Sequence, residues 1–319
     1  MPPPREQQLL VRAARLYYEE GRSQNQIADT LGVSRSSVSR MLTAARDRGI
    51  VQITINDPTG RDLELEGELT ARFGLRDCRV AETPGGERPL PRVGDLGARW
   101  LLENLHAGQR IGVSWGHSLQ AVVQHIPDEG TRDVEVLPLV GGLSAVDSAI
   151  AGEELVRDLA GRLGGSFRRL HAPALLTSKA GRDVLLAEPS IRDTLEAACH
   201  VHIAMVGIGS FGVGSSAALL RALELSDEEM TRFEAAGPAG DVCARYFDGD
   251  GKALHGPVDD RVLGISLECL ASIPTVAGVA AGPDKARGTL GALRTGALDV
   301  LICDRSLAGS LLAEGTSVS

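Results

Sequence analysis

The 319-residue chain predicts an α/β fold in two parts: a small head with a winged helix-turn-helix pattern and a larger, mostly parallel α/β body. Three observations carry this. Two capped helical segments joined by a glycine turn occupy residues 23–48, short apolar runs alternate with helical stretches beyond residue 58, and the charge changes sign between the two regions. Residues 1–56 hold eight arginines against five acids, a net of +3, which leaves −12 for the remainder of a chain whose total is −9. The breaker cluster Asn56-Asp57-Pro58-Thr59-Gly60 separates a head at 1–57 from a body at 58–319.

The head begins with a frayed Pro2-Pro3-Pro4, which reads as neither signal peptide nor anchor. Leu9, Leu10, Ala13, Leu16 and Tyr17 give a leading helix its apolar face. Ser23 can accept from the backbone N–H of Gln26 while the Gln26 side chain reaches back, the reciprocal pairing of a capping box. Ile27 and Leu31 follow on one face. Gly32 permits a turn, Val33 fills its inside, and Ser34 offers a second N-cap directly before the stripe Val38, Met41, Leu42 and Ala45.

Arg35, Ser36, Ser39 and Arg40 are left facing outward, where a helix used only for packing carries mixed Glu and Lys. Arginine can bridge guanine O6 and N7 and serine can serve a base or a phosphate, so this helix suits the major groove of double-stranded DNA. Ser34, Arg35, Ser36, Ser37, Ser39 and Arg40 are the expected contacts with an operator half-site. Arg22, Arg46 and Arg48 are suited to positioning the phosphate backbone. After Gly49, Val51, Ile53 and Ile55 alternate with Gln52, Thr54 and Asn56, the period of a short wing strand.

The body opens with a charged amphipathic stretch carrying Leu63, Leu65, Leu69 and Phe73, a helix suited to join head to body or to pair subunits. Apolar runs at 110–114, 134–140, 201–206, 275–280 and 299–303 read as buried strands. Helical patterns at 119–126, 153–163, 217–223, 285–293 and 307–313 alternate with them. Such alternation implies a mostly parallel sheet with helices on both faces and ligands at the carboxyl ends of its strands.

Those ends carry glycine: Ser114-Trp115-Gly116-His117-Ser118, Gly141-Gly142-Leu143-Ser144, Gly207-Ile208-Gly209-Ser210 and Ala281-Gly282-Pro283-Asp284-Lys285. Backbone N–H groups exposed by glycine, a helix N-terminus and the charge of Lys285 together make an anion site. Asp241, read as part of the loop that follows Ala236-Gly237-Pro238-Ala239-Gly240, suits sugar hydroxyls. The alternative for Asp241 with Arg245, and for Asp304 with Arg305, is a salt-bridged surface pair.

Further signals are weighed against these. Gly207-x-Gly209-x-x-Gly212 matches the dinucleotide fingerprint in form, but the acids that follow, Asp227, Glu228 and Glu229, stand at a helix start rather than a strand end. Cys199, His200 and His202 are metal-ligand types without further ligands in register, better read as a satisfied structural group. The five cysteines, Cys78, Cys199, Cys243, Cys269 and Cys303, are scattered through apolar strings and read as buried thiols of a reducing compartment rather than disulfides. With no apolar span of bilayer length, the expected location is cytoplasmic, without a membrane partner.

Over nearly its whole length the chain resembles the SorC-type sugar-binding transcriptional regulators of bacteria. The resemblance rests on Leu16-Tyr17-Tyr18-Glu19-Glu20-Gly21, Gln26-Ile27-Ala28, Ser34-Arg35-Ser36-Ser37-Val38-Ser39-Arg40, Val113-Ser114-Trp115-Gly116 and Val206-Gly207-Ile208-Gly209-Ser210. Asp241-Val242-Cys243-Ala244-Arg245-Tyr246-Phe247-Asp248, Gly264-Ile265-Ser266-Leu267-Glu268 and Val279-Ala280-Ala281-Gly282-Pro283-Asp284-Lys285 extend it. It implies a body with the fold of sugar-phosphate isomerases and deaminases, a homotetramer or dimer, no cofactor, and DNA binding controlled by a phosphorylated sugar. It also implies an effector site of Ser114, Trp115, Gly116, Gly141, Gly142, Gly209, Asp241, Glu268, Gly282 and Lys285, with Lys285 on the phosphate and Asp241 on hydroxyls.

Two departures stand out. Deaminase-type enzymes of this fold carry Asp and His in the loop equivalent to Gly209–Gly214, where this chain has Phe211 and Val213, so no catalytic residues are expected. Ala281 stands where the family commonly has a second glycine, and Pro283 has no backbone N–H, which bears on the phosphate cradle. The rival readings are a sugar-phosphate isomerase or deaminase with a fused DNA reader, and a nicotinamide-sensing repressor.

Overall fold

The computed structural model describes residues 4–51, 60–83, 86–128, 130, 132–143 and 152–314. The chain separates into two compact units, Met1–Asp57 and Pro58–Ser319.

The first unit contains α1 (Pro4–Tyr18), α2 (Gln24–Leu31) and α3 (Arg35–Asp47). Ala13, Leu16, Ile27, Ala28, Val38 and Leu42 form its core, closed by Leu31, Val33 and Met41. The buried face of α1 is Leu10, Ala13, Ala14 and Leu16, whereas Leu9 and Tyr17, expected inside, are 38% and 37% exposed. Contact with α3 sets that rotation, since several apolar residues of α1 compete for one face. Ser23 and Gln26 form the capping box, and Gly32 ends α2 in the left-handed conformation at φ 65°. The wing expected over residues 51–56 lies, beyond Val51, outside the described residues.

Among the described residues of the second unit are nine strands: β1 (Asp77–Ala81), β2 (Arg110–Val113), β3 (Glu135–Pro138), β4 (Ser166–Phe167), β5 (Ile203–Ser210), β6 (Pro238–Val242), β7 (Arg245–Asp248), β8 (Val276–Val279) and β9 (Val300–Asp304). Seven run parallel in the order β1-β9-β8-β5-β2-β3-β4. β6 is antiparallel to the end of β5, and β7 hairpins back on β6.

Side chains alternate between two cores, Ala204, Val206 and Ile208 of β5 facing one and Ile203 and Met205 the other. α5 (Pro89–Asn104), α6 (His117–His125) and α7 (Gly152–Leu163) cover the second face. α4 (Leu63–Phe73), α9 (Pro189–Ala198), α13 (Ala286–Arg294) and α14 (Arg305–Glu314) cover the first. Burial on both faces is why these strands read as continuous apolar runs.

The chain proceeds from β2 outward through β3 and β4, then returns to place β5 on the other side of β2. The order reverses between β2 and β5, and at such a switch point the loops diverge to opposite faces and leave a crevice.

Several expectations need correction. Cys199 and Cys269 form a disulfide across 70 residues, so they are not free thiols; Cys78, Cys243 and Cys303 are free and buried. Tertiary packing brings α9 to α12 (Leu267–Ala271), a proximity that spacing along the chain cannot announce. Asp241 lies within strand β6 rather than in a loop, and it is 4% exposed. Among the described residues no arginine is ion-paired with it, and Arg245 is bound to Asp259 at 2.7 Å.

Asp304 is likewise no surface pair. It is wholly buried and accepts from the Gly282 N–H at 2.7 Å, while Arg305 bridges to Asp62 at 2.5 Å. On α4, Leu63 is 59% exposed and Glu66 is buried in its stead, held by Arg61 at 2.9 Å and by the Val80 N–H at 2.9 Å. His202 Nδ1 accepts from the Arg110 N–H at 3.0 Å, and His200 meets the Glu196 carbonyl at 2.8 Å. No helix among the described residues is long and apolar enough to cross a membrane.

Candidate nucleic-acid interface and ligand cleft

In the first unit, burying Val38, Leu42 and Ala45 turns the opposite side of α3 outward. Arg35, Ser36, Ser39, Arg40 and Arg46 are exposed there, and Thr43 continues the same stripe. Ser34 is the N-cap: its Oγ accepts from the Ser37 N–H at 3.2 Å and meets the Ser36 and Ser37 hydroxyls at 2.8 and 2.9 Å. That ties Ser34 and Ser37 to holding the start of α3, with Ser37 half-buried. Arg22 already has partners in Glu20 at 2.8 Å and Thr30 at 3.4 Å.

In the second unit, a cleft of about 550 Å³ opens at the switch point. Of the expected effector residues it brings together Ser114, Trp115, Gly116, Gly209, Asp241 and Lys285. The Ser114 hydroxyl accepts from the Gly207 N–H at 3.1 Å and ties the ends of β2 and β5. Trp115 spends its indole N–H on the Gly141 carbonyl at 3.1 Å, so its ring serves as an apolar wall. Gly116 has φ 123°, a conformation that suits glycine.

Asp241 fills the space above Gly209, where an added Cβ would lie 1.9 Å from its Oδ1. That oxygen is buried without a hydrogen-bond partner. Burial raises the Asp241 pKa, and the Ser216 hydroxyl, the Lys285 charge and the Ala244 N–H only partly oppose it. The neighbouring Cys243 thiol is pushed up to about 12, by burial first and by Asp241 second, and is no nucleophile.

Four helices begin at this cleft: α5, α6, α13 and α10 (Gly214–Ala222). None is capped by the side chain of its own N-cap residue, these being Arg88, Gly116, Lys285 and Val213 in α5, α6, α13 and α10. Away from the cleft, α4, α12, α8 (Lys179–Ala187) and α11 (Asp227–Ala235) are capped by Asp62, Ser266, Ser178 and Ser226, while α9 starts at Pro189 without a side-chain cap. The starts of α6 and α10 present backbone N–H groups and partial positive charge, the surroundings an anion needs, whereas α5 opens with Pro89 and Pro91, which have no N–H, and in α13 the Gly288 N–H is taken by the Ser210 hydroxyl at 3.3 Å.

The remaining expected residues lie elsewhere. Gly141 stands behind Trp115, and Gly142 lines a separate cavity of about 400 Å³ with Arg168 and His171. β3 is one strand beyond the switch point, so its end turns to pair with Gly264 and Pro173 instead. Glu268 belongs to a third cavity beside Arg245 and His255. Gly282 is buried, with φ 97° and its N–H on Asp304, and supports the loop that presents Lys285. The dinucleotide reading also fails on geometry: Gly207 and Gly209 sit inside β5, and Ser226 and Glu229 form the capping box of α11.

Comparison with known proteins agrees with this architecture. The Sugar-bind family, described as Putative sugar-binding domain, matches residues 57–313, and Sigma-70 region 4 matches residues 3–48. The Sorbitol operon regulator of Klebsiella pneumoniae is 32% identical over 310 residues, covering 95% of this chain and 97% of that protein. The chain belongs to the SorC-type family of sugar-binding transcriptional regulators.

The Deoxyribonucleoside regulator of Bacillus subtilis is 31% identical over 312 residues, 96% of this chain and 97% of its own. The crystal structure of the full-length Sorbitol Operon Regulator SorC from Klebsiella pneumoniae superposes with a TM-score of 0.74 at 32% identity, covering 96% and 98% of the two chains. As a member of this family the chain is a DNA-binding transcriptional regulator with a sugar-binding domain, and its relatives are regulators rather than enzymes. Phe211, in the loop after β5, packs edge-on against Phe233 at 6.0 Å.

Sequence reasoning passed over Arg88, Ser215 and Ser216 in the cleft and Thr43 on α3, and it placed His117 and Asp284 in the converging loops without giving them a role. The strand-end rule reached His117 as part of the loop after β2. Arg88 and Ser216 carried no such signal, since each reaches the cleft from a helix start that only the packing brings there.

Proposed function

We propose that this regulator binds an operator through Arg35, Ser36, Ser39 and Arg40, with Arg22 and Arg46 on the phosphate backbone, and that a phosphorylated sugar in the cleft controls that binding. Ser34 and Ser37 act as the cap that orients the reading helix. Lys285 and the uncapped starts of α6 and α10 take the phosphate. Asp241 takes a sugar hydroxyl on its unpartnered Oδ1, and Trp115 packs on the carbon skeleton.

The observation that carries this reading is the coincidence, in one cleft, of a cationic uncapped rim and a buried acceptor with no donor of its own. An unsatisfied buried carboxylate oxygen costs about 1–3 kcal/mol, and a ligand hydroxyl recovers it. The protein acts as a homo-oligomer, a dimer or tetramer, because paired reading helices match paired half-sites. Effector binding favours one arrangement of subunits and so shifts the population competent for DNA.

Thermal unfolding against a panel of phosphorylated and free sugars tests the cleft. A ligand at a hundred times its Kd adds about 2.7 kcal/mol, and the same ligand must change retardation of promoter DNA. Sustained turnover of a sugar phosphate, or stabilisation by dinucleotide but not by sugars, rejects the reading.

A further inference from the structure

Cys199 closes the C-terminus of α9 and Cys269 lies in α12, with Cα atoms 5.5 Å apart across the disulfide. Both are half-buried, whereas the three free cysteines are buried. A low-molecular-weight thiol therefore has access to this pair that it lacks to the others.

The position of the bond matters more than its exposure. Cys269 follows the segment 262–266, which is clamped from two sides. Ile265 donates to the Leu139 carbonyl and Gly141 to the Leu263 carbonyl, both at 2.9 Å. From the other side the Arg245 guanidinium donates to the carbonyls of Gly264 at 2.9 Å and Ile265 at 3.1 Å. The Gly141 carbonyl is the group that holds Trp115 in the cleft wall, and Arg245 lies across the β6–β7 hairpin from Val242, the residue after Asp241. The disulfide adds a third tie, to α9, which packs on β3. Hydrogen bonds thus run from the segment beside an accessible sulfur pair to the Trp115 wall of the cleft, and through Arg245 to the hairpin that carries Asp241.

We propose that Cys199 and Cys269 form a reversible thiol–disulfide exchange site for low-molecular-weight thiols and disulfides, and that its state sets the rigidity of segment 262–266 and the affinity of the cleft. A thiolate of the small thiol attacks one cysteine sulfur, the other leaves as a thiolate and takes a proton, and a second small thiol resolves the mixed disulfide. Two cysteine thiols and one small disulfide result. The reverse reaction uses an oxidised small disulfide as electron acceptor. The link to the cleft rests on the function proposed above; the exchange reaction does not.

The test equilibrates the full chain with reduced or oxidised glutathione, then alkylates it under native conditions and maps the label. Labelling is expected at Cys199 and Cys269 after reduction only, with Cys78, Cys243 and Cys303 unlabelled in both states. Hydrogen exchange on the same samples is expected to rise about tenfold across 139–143 and 262–272 on reduction, with β1 and β9 unchanged. Binding of glucose 6-phosphate as the probe is expected to differ by about threefold or more between the two states. The C199S/C269S double variant should follow the reduced protein in either buffer.

A pair that stays bonded in reduced glutathione, or never bonds in oxidised glutathione, overturns the exchange site. Unchanged hydrogen exchange in both segments, or equal probe affinity in the two states, overturns the coupling. If the probe binds in neither state, the effector reading is tested afresh with other sugar phosphates, and labelling and hydrogen exchange alone decide this proposal.

Discussion

The two units treat their polar groups in opposite ways. In the first, every serine that starts a helix is spent on that helix, Ser23 on α2 and Ser34 on α3, and the recognition groups stand exposed on the far face. In the second, α6 and α10 start at the cleft uncapped, and the chemically active carboxylate, Asp241, is buried among strands. A surface that meets DNA competes with water and salt, so it needs rigid placement of many modest contacts. A cleft that must respond to one small molecule gains from groups that find full partners when the ligand arrives.

That contrast predicts a separation of phenotypes. The largest effect is expected for Lys285→Ala, which removes a charge-assisted contact of about 1.5–3 kcal/mol and so weakens effector binding by roughly ten- to a hundredfold. Titration of a stabilising sugar phosphate by calorimetry measures it, while retardation of DNA by the ligand-free variant stays as in the parent. Should DNA binding fall instead, the division of labour between the units is wrong. Arg35→Ala is the mirror experiment. Competition between operator and random DNA should show a loss of about 1–3 kcal/mol in preference, with the ligand-induced rise in Tm intact.

A smaller difference separates neighbouring serines. Ser34→Ala should destabilise the first unit by about 1 kcal/mol, and Ser34→Gly by only a few tenths, because glycine is tolerated at an N-cap. Ser36→Ala should leave the melting of α3 unchanged and act on DNA affinity alone. Circular dichroism melts of the three variants decide whether Ser34 is cap or reader.

The smallest effect concerns pH. Burial raises the Asp241 pKa above its ordinary 3.8, so the folded protein binds more protons than the unfolded chain as pH rises past that value. The ligand-free protein should therefore lose stability with rising pH, from about 4 up to the raised pKa. Asp241→Asn should flatten that slope in denaturant titrations and abolish hydroxyl recognition. A slope identical in parent and variant removes Asp241 as its source.

Much of the architecture was legible in residue order. The runs at 110–114, 134–140, 201–206, 275–280 and 299–303 became β2, β3, β5, β8 and β9, because strands buried on both faces are apolar throughout. The antiparallel pair β6 and β7 escaped, since Pro238, Gly240 and Asp241 are residues that strands disfavour. Its place was earned by close approach: an added Cβ at Gly240 would lie 2.3 Å from the Gly209 carbonyl and 2.7 Å from Gly288. Charged α4 was visible, but the burial of Glu66 was not, because its partners Arg61 and the Val80 N–H answer a charge that periodicity counts as exposed.

Local chemistry along the chain sufficed for the capped reading helix with its basic hydroxyl face, for the parallel sheet, and for the glycine-bearing strand ends. Each of these depends on neighbours within a few residues, where hydrogen-bond geometry and periodicity leave little choice. Which strand ends meet was settled by the sheet order, which put β2 beside β5 and left Gly141, Gly142 and Glu268 outside the cleft. The same long-range packing joined Cys199 to Cys269 and buried Asp241 without a partner for Oδ1. Those outcomes arise between residues far apart in the chain, and only the closing of the core brings them within reach of one another.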